Sequence, residues 1–159
     1  MTSPLSGVST SVGPGCHGRI DRPLSIRDLA DPALPPSVLV AVPDDAPPDV
    51  VREVCAGAEE QGIPTAILTA GPDADAAGRH AAGESRLSVG VGVGSDGSVV
   101  VRHALVGDAV LTLDADAPPA TRRTVGADAA RIVAGLPLRL APDPGSPAGL
   151  PRPASETGQ

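Results

Sequence analysis

Between Leu87 and Gly94 the chain alternates Leu, Ser, Val, Gly, Val, Gly, Val, Gly. Side chains alternate across a strand, so Leu87, Val89, Val91 and Val93 share one face and Ser88, Gly90, Gly92 and Gly94 the other. Glycine packs nothing in a strand interior and loses the most entropy on ordering. Three glycines at period two are worth keeping where something lies very close to the bare backbone: a helix, a ligand or a partner chain. Tight packing under a helix or a partner is the favoured reading, and it makes Gly90 and Gly92 candidate interface residues. A dinucleotide-binding loop is disfavoured, because Gly90-x-Gly92 is followed by Ser95 at the third glycine position and by a strand, not a helix.

What surrounds that strand must be built without large side chains. The 159 residues include no Phe, Trp or Tyr, and all 12 basic residues are arginine. The core is therefore Val, Leu, Ile and Ala, each burying less area than an aromatic. Such a core is thin, and a partner chain is a natural source of further stability. The length suits one domain, not two. A net charge of -7, with no lysine and no aromatic residue, argues against nucleic acid as a partner. The absence of lysine also excludes a Walker A loop and a Schiff-base nucleophile. No apolar run approaches the roughly 18–20 residues that span a bilayer. The N-terminus lacks the apolar core of a secretory signal. Cys16 and Cys55 lie in unlike contexts, a Gly/Pro/Ser tail and the apolar side of a helix, and are expected as two reduced thiols in the cytoplasm.

Along the chain, residues 1–36 and 141–159 are rich in Ser, Gly and Pro without a sustained period and read as disordered tails. Residues 37–140 read as one domain. A continuous apolar strand at 38–42 comes first. Pro47 and Pro48 open a helix whose Val50, Val51, Val54, Cys55 and Ala58 form one stripe ending at Gly62. A strand at 65–68, a weaker helix at 74–82 and the glycine strand follow. Ser95-Asp96-Gly97 turns the chain into a strand at 99–103, and a short strand covers 110–113. A last helix opens near Pro118-Pro119 and stops around Gly135. This order predicts an α/β fold: a three-layer α/β/α domain with a mixed, roughly five-stranded sheet.

Four blocks, in this order, resemble the small subunit of diol and glycerol dehydratase reactivases. They are 52–64 (REVCAGAEEQGIP), 87–92 (LSVGVG), 110–113 (VLTL) and 122–139 (RRTVGADAARIVAGLPLR). The medium subunit of the coenzyme B12-dependent dehydratases shares the same fold and is the nearest rival. The short stretch between His103 and Val110 and the Gly-Leu-Pro-Leu-Arg ending favour the reactivase. The resemblance implies a non-catalytic, chaperone-like subunit. It would act by subunit exchange on the dehydratase to release damaged cobalamin, beside a large subunit that hydrolyses ATP. The implied partners are that large subunit and the dehydratase subunits. The location is cytoplasmic, with a bacterial microcompartment as a further setting. A small-molecule-binding α/β domain that uses the glycine face remains a third reading.

The resemblance also maps Glu60 onto a glutamate that helps hold a divalent metal, Mg²⁺, at the contact with the large subunit; no cofactor is expected on this chain alone. Mg²⁺ commonly takes only one or two carboxylates from a chain. Glu59 is a candidate interface residue beside it. Glu53, seven residues before Glu60, falls on the same helix face and reads as an exposed or interface charge. Arg122, Arg123 and Arg131 form a basic side of the last helix, with Arg123 and Arg131 as interface candidates. Asp114 and Asp116 are expected to support that helix's N-terminus. His17, His80 and His103 have no ligand spacing, and no catalytic residue is assigned.

Overall fold

The computed structural model describes residues 23–140. The readings made for residues 1–22 and 141–159, including Cys16 and His17, lie outside the described residues. Nine elements follow in order: α1 (Ile26–Leu29), β1 (Val38–Val42), α2 (Pro48–Glu60), β2 (Thr65–Thr69), α3 (Ala74–Glu84), β3 (Val89–Val93), β4 (Val99–His103), β5 (Leu111–Leu113) and α4 (Pro119–Ala134). The strands form one mixed sheet in the order β2-β1-β3-β4-β5. β1 pairs in parallel with β2 and with β3, while β3, β4 and β5 form an antiparallel meander. The expected three-layer α/β domain is the fold this chain adopts.

The two faces of the sheet have different chemistry. Val38, Val40 and Val42 of β1, Val89, Val91 and Val93 of β3, and Val99 and Val101 of β4 face α2 and α4 in one buried cluster. Leu39, Ala41, Ala66 and Leu68 face α3 and meet Ala77 and Ala81. β1, at the middle of the parallel part, is buried along its whole length, which is why its sequence is continuously apolar.

The glycine face of β3 is covered by α3 of the same chain. A Cβ on Gly92 would run into the Ala74 carbonyl oxygen and the Gly78 amide nitrogen, and one on Gly90 into the backbone of Ala81 and Ala82. The helix lies on the strand with backbone near backbone, so only glycine fits. The strand itself is shorter than the alternation in sequence. Ser88 has φ 62°, in the left-handed region, so Leu87 and Ser88 turn before β3 begins.

On the other face, α2 and α4 run parallel: Asp49 lies near Arg122, Glu53 beside Arg123, and Gln61 beside Arg131. They also touch through glycine. A Cβ on Gly57 would collide with the Arg123 carbonyl oxygen and lie 2.8 Å from the Ala127 nitrogen, and one on Gly126 would collide with the Val54 carbonyl oxygen. α2 ends through Gln61 and Gly62 (φ 83°), and α4 through a left-handed Gly135.

Residues 23–36, read from the sequence as part of a tail, include ordered structure. Ser25 caps α1 in a reciprocal capping box with Asp28. The Leu24 N–H donates to the Ile67 carbonyl at 2.7 Å and forms a parallel bridge with Leu68 along the outer edge of β2. Arg86 Nη2 donates to the carbonyls of Asp31 and Leu34 and ties the segment to the end of α3. An unpaired strand edge is thus partly closed by residues too few and too irregular to show a period.

Two further expectations are corrected. Asp114 and Asp116 do not cap α4: its N-cap is Pro118, with no side-chain cap bond and no acid in the first turn. Pro118 and Pro119 preset the backbone of that first turn and leave two fewer amides to satisfy. Cys55, buried among the valines as expected, is disulfide-bonded and not a reduced thiol.

Candidate functional site

The surface formed where α2 and α4 run side by side gathers three of the charged residues singled out in the sequence, Glu53, Glu60 and Arg123. The helices touch backbone to backbone at Gly57 and Gly126, and side chains bridge them beside that contact. Glu53 and Glu60 lie two turns apart on α2, on the face turned toward α4. Arg123, one turn into α4, sits between them. Its Nε and Nη2 donate to Glu60 Oε1 at 2.9 and 2.6 Å, and its Nη1 donates to Glu53 Oε2 at 3.0 Å. One guanidinium thus serves two carboxylates.

Electrostatics follow from that geometry. The hydrogen bond from Arg123 holds the Glu60 carboxyl below the usual carboxylate range, and the charges of Arg123 and Arg139 act in the same direction. The same bonds to Glu60 and Glu53 push the Arg123 guanidinium further toward its charged form. The Glu60 side chain remains half exposed, at 51%, whereas that of Glu53 is 22% exposed.

The other candidates separate. Glu59 turns to the start of β2, where its Oε1 accepts from Thr65 Oγ1 at 2.8 Å. Arg131 is engaged within the chain: Nε donates to the Pro137 carbonyl at 2.7 Å and Nη1 to Gln61 Oε1 at 3.3 Å. Arg122 leaves the basic face altogether. It is buried, its Nη2 donates to the Ala115 carbonyl, and its Nη1 lies 3.6 Å from Asp49. Its Nε is buried with no hydrogen-bond partner. Gly90 and Gly92 lie on the opposite face of the sheet beneath α3, so their close neighbour is a helix of this chain.

Two arrangements escaped the sequence reading. Asp128 is fully buried on α4, and its two carboxylate oxygens accept the amides of Arg139 and Leu140 at 2.8 and 2.7 Å. It straps the chain that follows α4 against the helix, with Leu138 and Leu140 packed on the valine cluster. An acid three residues after Val125 and four before Ile132, on the apolar side of α4, was the signal. On the α3 face, Arg102 is also buried. Its Nε and Nη2 pair with Asp75 at 2.9 and 2.7 Å, and its Nη1 donates to the Gly107 carbonyl. The bond from Arg102 lowers the Asp75 carboxyl below its ordinary range. An isolated arginine in an apolar strand was the available sign.

Glu60 fits the divalent cation that the sequence resemblance implied. It offers hard carboxylate oxygen at a half-exposed position, where a metal ion would meet the Arg123 guanidinium already bonded to it. A metal ion there would draw its remaining ligands from water or from a second chain. Among the described residues, no group of three or more His, Cys, Asp and Glu is gathered that could hold a metal ion. No helix among them is long and apolar enough to cross a membrane.

Comparison with known proteins places this architecture. The family model described as dehydratase medium subunit matches residues 35–139. A probable glycerol dehydratase-reactivating factor small subunit from Citrobacter freundii is 37% identical over 94 residues, covering 56% of this chain and 80% of that protein. Among solved structures, a glycerol dehydratase reactivase matches with TM-score 0.63 and 34% identity, over 65% of this chain and 96% of that one. A diol dehydratase-reactivating factor, solved as a complex with ADP and Mg²⁺, matches with TM-score 0.61 and 30% identity, over 66% of this chain and 98% of that one.

Proposed function

We propose that this chain, which belongs to the dehydratase medium subunit family, is the small subunit of a reactivating factor for a B12-dependent diol or glycerol dehydratase. The observation that carries the reading is the match to a glycerol dehydratase reactivase over 96% of that chain at 34% identity. In this reading the subunit works by binding. It pairs with a large, ATP-hydrolysing subunit and exchanges onto the dehydratase in place of a subunit of the same fold. Damaged cobalamin then leaves, and intact cofactor enters. The cytoplasm, or a microcompartment within it, is the setting such an enzyme would give it.

The paired helices α2 and α4 supply the docking surface. Glu60 would hold Mg²⁺ through its carboxylate at the contact with the large subunit, and the metal would join the two chains by accepting oxygen ligands from both. Arg123 lies at that point, bonded to Glu60 and, through a second nitrogen, to Glu53. The test is co-expression with the large subunit of a reactivating factor, followed by size exclusion with and without Mg²⁺ and ADP. A stable complex that Glu60→Ala weakens is the expected result.

A second reading is favoured by the family model's own description: a medium subunit of the dehydratase itself. That chain would fail to co-elute with the reactivase large subunit and would instead assemble stably with the dehydratase large subunit.

A further inference from the structure

Glu53 and Glu60, both on α2, share a single guanidinium from α4. We propose that Arg123 is an internal counter-ion that competes with a divalent cation for the Glu60 carboxylate, and that Glu53 is the acceptor onto which the guanidinium withdraws when the cation arrives. The inference rests on the reading of Glu60 as a cation ligand and adds how that ligand is guarded.

The geometry points to exchange and not to a fixed clamp. Arg123 already holds both acids, Glu60 through Nε and Nη2 and Glu53 through Nη1. Letting go of Glu60 therefore does not leave the guanidinium unpaired. The two acids are also placed unequally. The Glu53 side chain is 22% exposed and that of Glu60 51%, so withdrawal is inward and leaves the outer carboxylate facing solvent. The backbone of Arg123 has little freedom, because its carbonyl lies against Gly57 where the helices touch. Only the side-chain torsions need change. Ion pairs this exposed are weak enough to be exchanged by a competing ion.

Mn²⁺ titrated into the full-length chain alone, with free metal read by electron paramagnetic resonance, tests this without any partner. Removing the competitor in Arg123→Gln should tighten Mn²⁺ binding about fivefold, the scale of an exposed ion pair. Arg139→Gln removes a positive charge that acts on Glu60 through space only, and should tighten it less than about twofold. The gain should vanish in the double variant Arg123→Gln, Glu60→Gln. Glu53→Gln should weaken Mn²⁺ binding in the wild-type background, yet leave it within about twofold once Arg123 is already Gln, because no guanidinium then needs a place to go. The proposal is overturned if Arg123→Gln gains no more than Arg139→Gln, if the gain survives without Glu60, if Glu53→Gln acts equally in both backgrounds, or if neither wild type nor Arg123→Gln binds Mn²⁺. Co-elution with the large subunit is read separately. If it succeeds while the titration fails, only the counter-ion role falls; if it fails, the reactivating-factor reading falls by itself.

Discussion

The two faces of the sheet hold their helices by opposite means, and β3 takes part in both. Toward α2 and α4 it presents Val89, Val91 and Val93, which fill the space between layers with branched side chains. Toward α3 it presents Gly90 and Gly92, and the helix comes down until its backbone nearly meets the strand. The first face is held by volume and the second by proximity. A chain without aromatic residues can form a dense interior either by filling the gap with many valines or by removing the gap. Both sides bury charge, Arg102 against Asp75 beneath α3 and Arg122 and Asp128 on α4, but Arg123 and its two acids lie further out, where they can meet another molecule.

The contrast is sharpest where a methyl group is added or removed. Gly92→Val places its side chain on the Ala74 carbonyl and the Gly78 amide, neither of which can rotate away, and should cost about 4 kcal/mol or leave the chain unfolded by urea titration. Gly126→Ala, at the contact of α2 with α4, meets the Val54 carbonyl and should cost about 3 kcal/mol by the same measurement. It should also lengthen the Arg123–Glu60 separation, seen as loss of the Arg123 Nε–H signal shift in nuclear magnetic resonance. Val91→Ala, on the valine face of β3, removes volume and should cost only about 2 kcal/mol. If Val91→Ala proves costlier than Gly92→Val, the division into volume and proximity is wrong.

The charge contrast predicts a smaller effect. Asp75→Asn leaves Arg102 buried with a weaker partner. It should cost about 1.5 kcal/mol, below the roughly 3–5 kcal/mol of a fully buried pair, because the Asp75 side chain is 37% exposed. The Asp75 carboxyl titrates below its ordinary value of 3.8, chiefly through the bond from Arg102. Its stabilisation is therefore complete above that value and is lost as the pH falls through the depressed one. Thermal melts between pH 6 and pH 2 should show an acid limb in the wild type that is flatter in Asp75→Asn.

Much of this was legible in the sequence, because periodicity reports burial directly. The alternation in β3 announced both faces, and the apolar stripe of α2 named the residues that face the valine cluster. The spacing of Glu53 and Glu60 placed both on one helix face. What period cannot carry is which partner a residue meets across the fold. Arg122, Arg123 and Arg131 look alike in sequence, yet one is buried, one bridges two acids and one holds the chain after α4. That division follows from the angle and distance at which α4 crosses α2, set by Gly57 and Gly126, and glycines within a helical pattern show no such pairing. Asp128 was hidden for a similar reason. Its partners are backbone amides, and these have no sequence signature.

The shared direction of α2 and α4 has one more effect. Antiparallel neighbours largely cancel the dipoles of their peptide groups, but these two helices add theirs. Each contributes roughly half an elementary charge of negative potential at its C-terminal end. Both ends open on the rim that carries Glu59, Glu60 and Gln61. The backbone therefore makes that rim attractive to an approaching cation or basic surface, whatever its side chains are. Reversing the direction of one helix, with every surface residue kept, would weaken this local pull, which is confined to about the last turn of each helix.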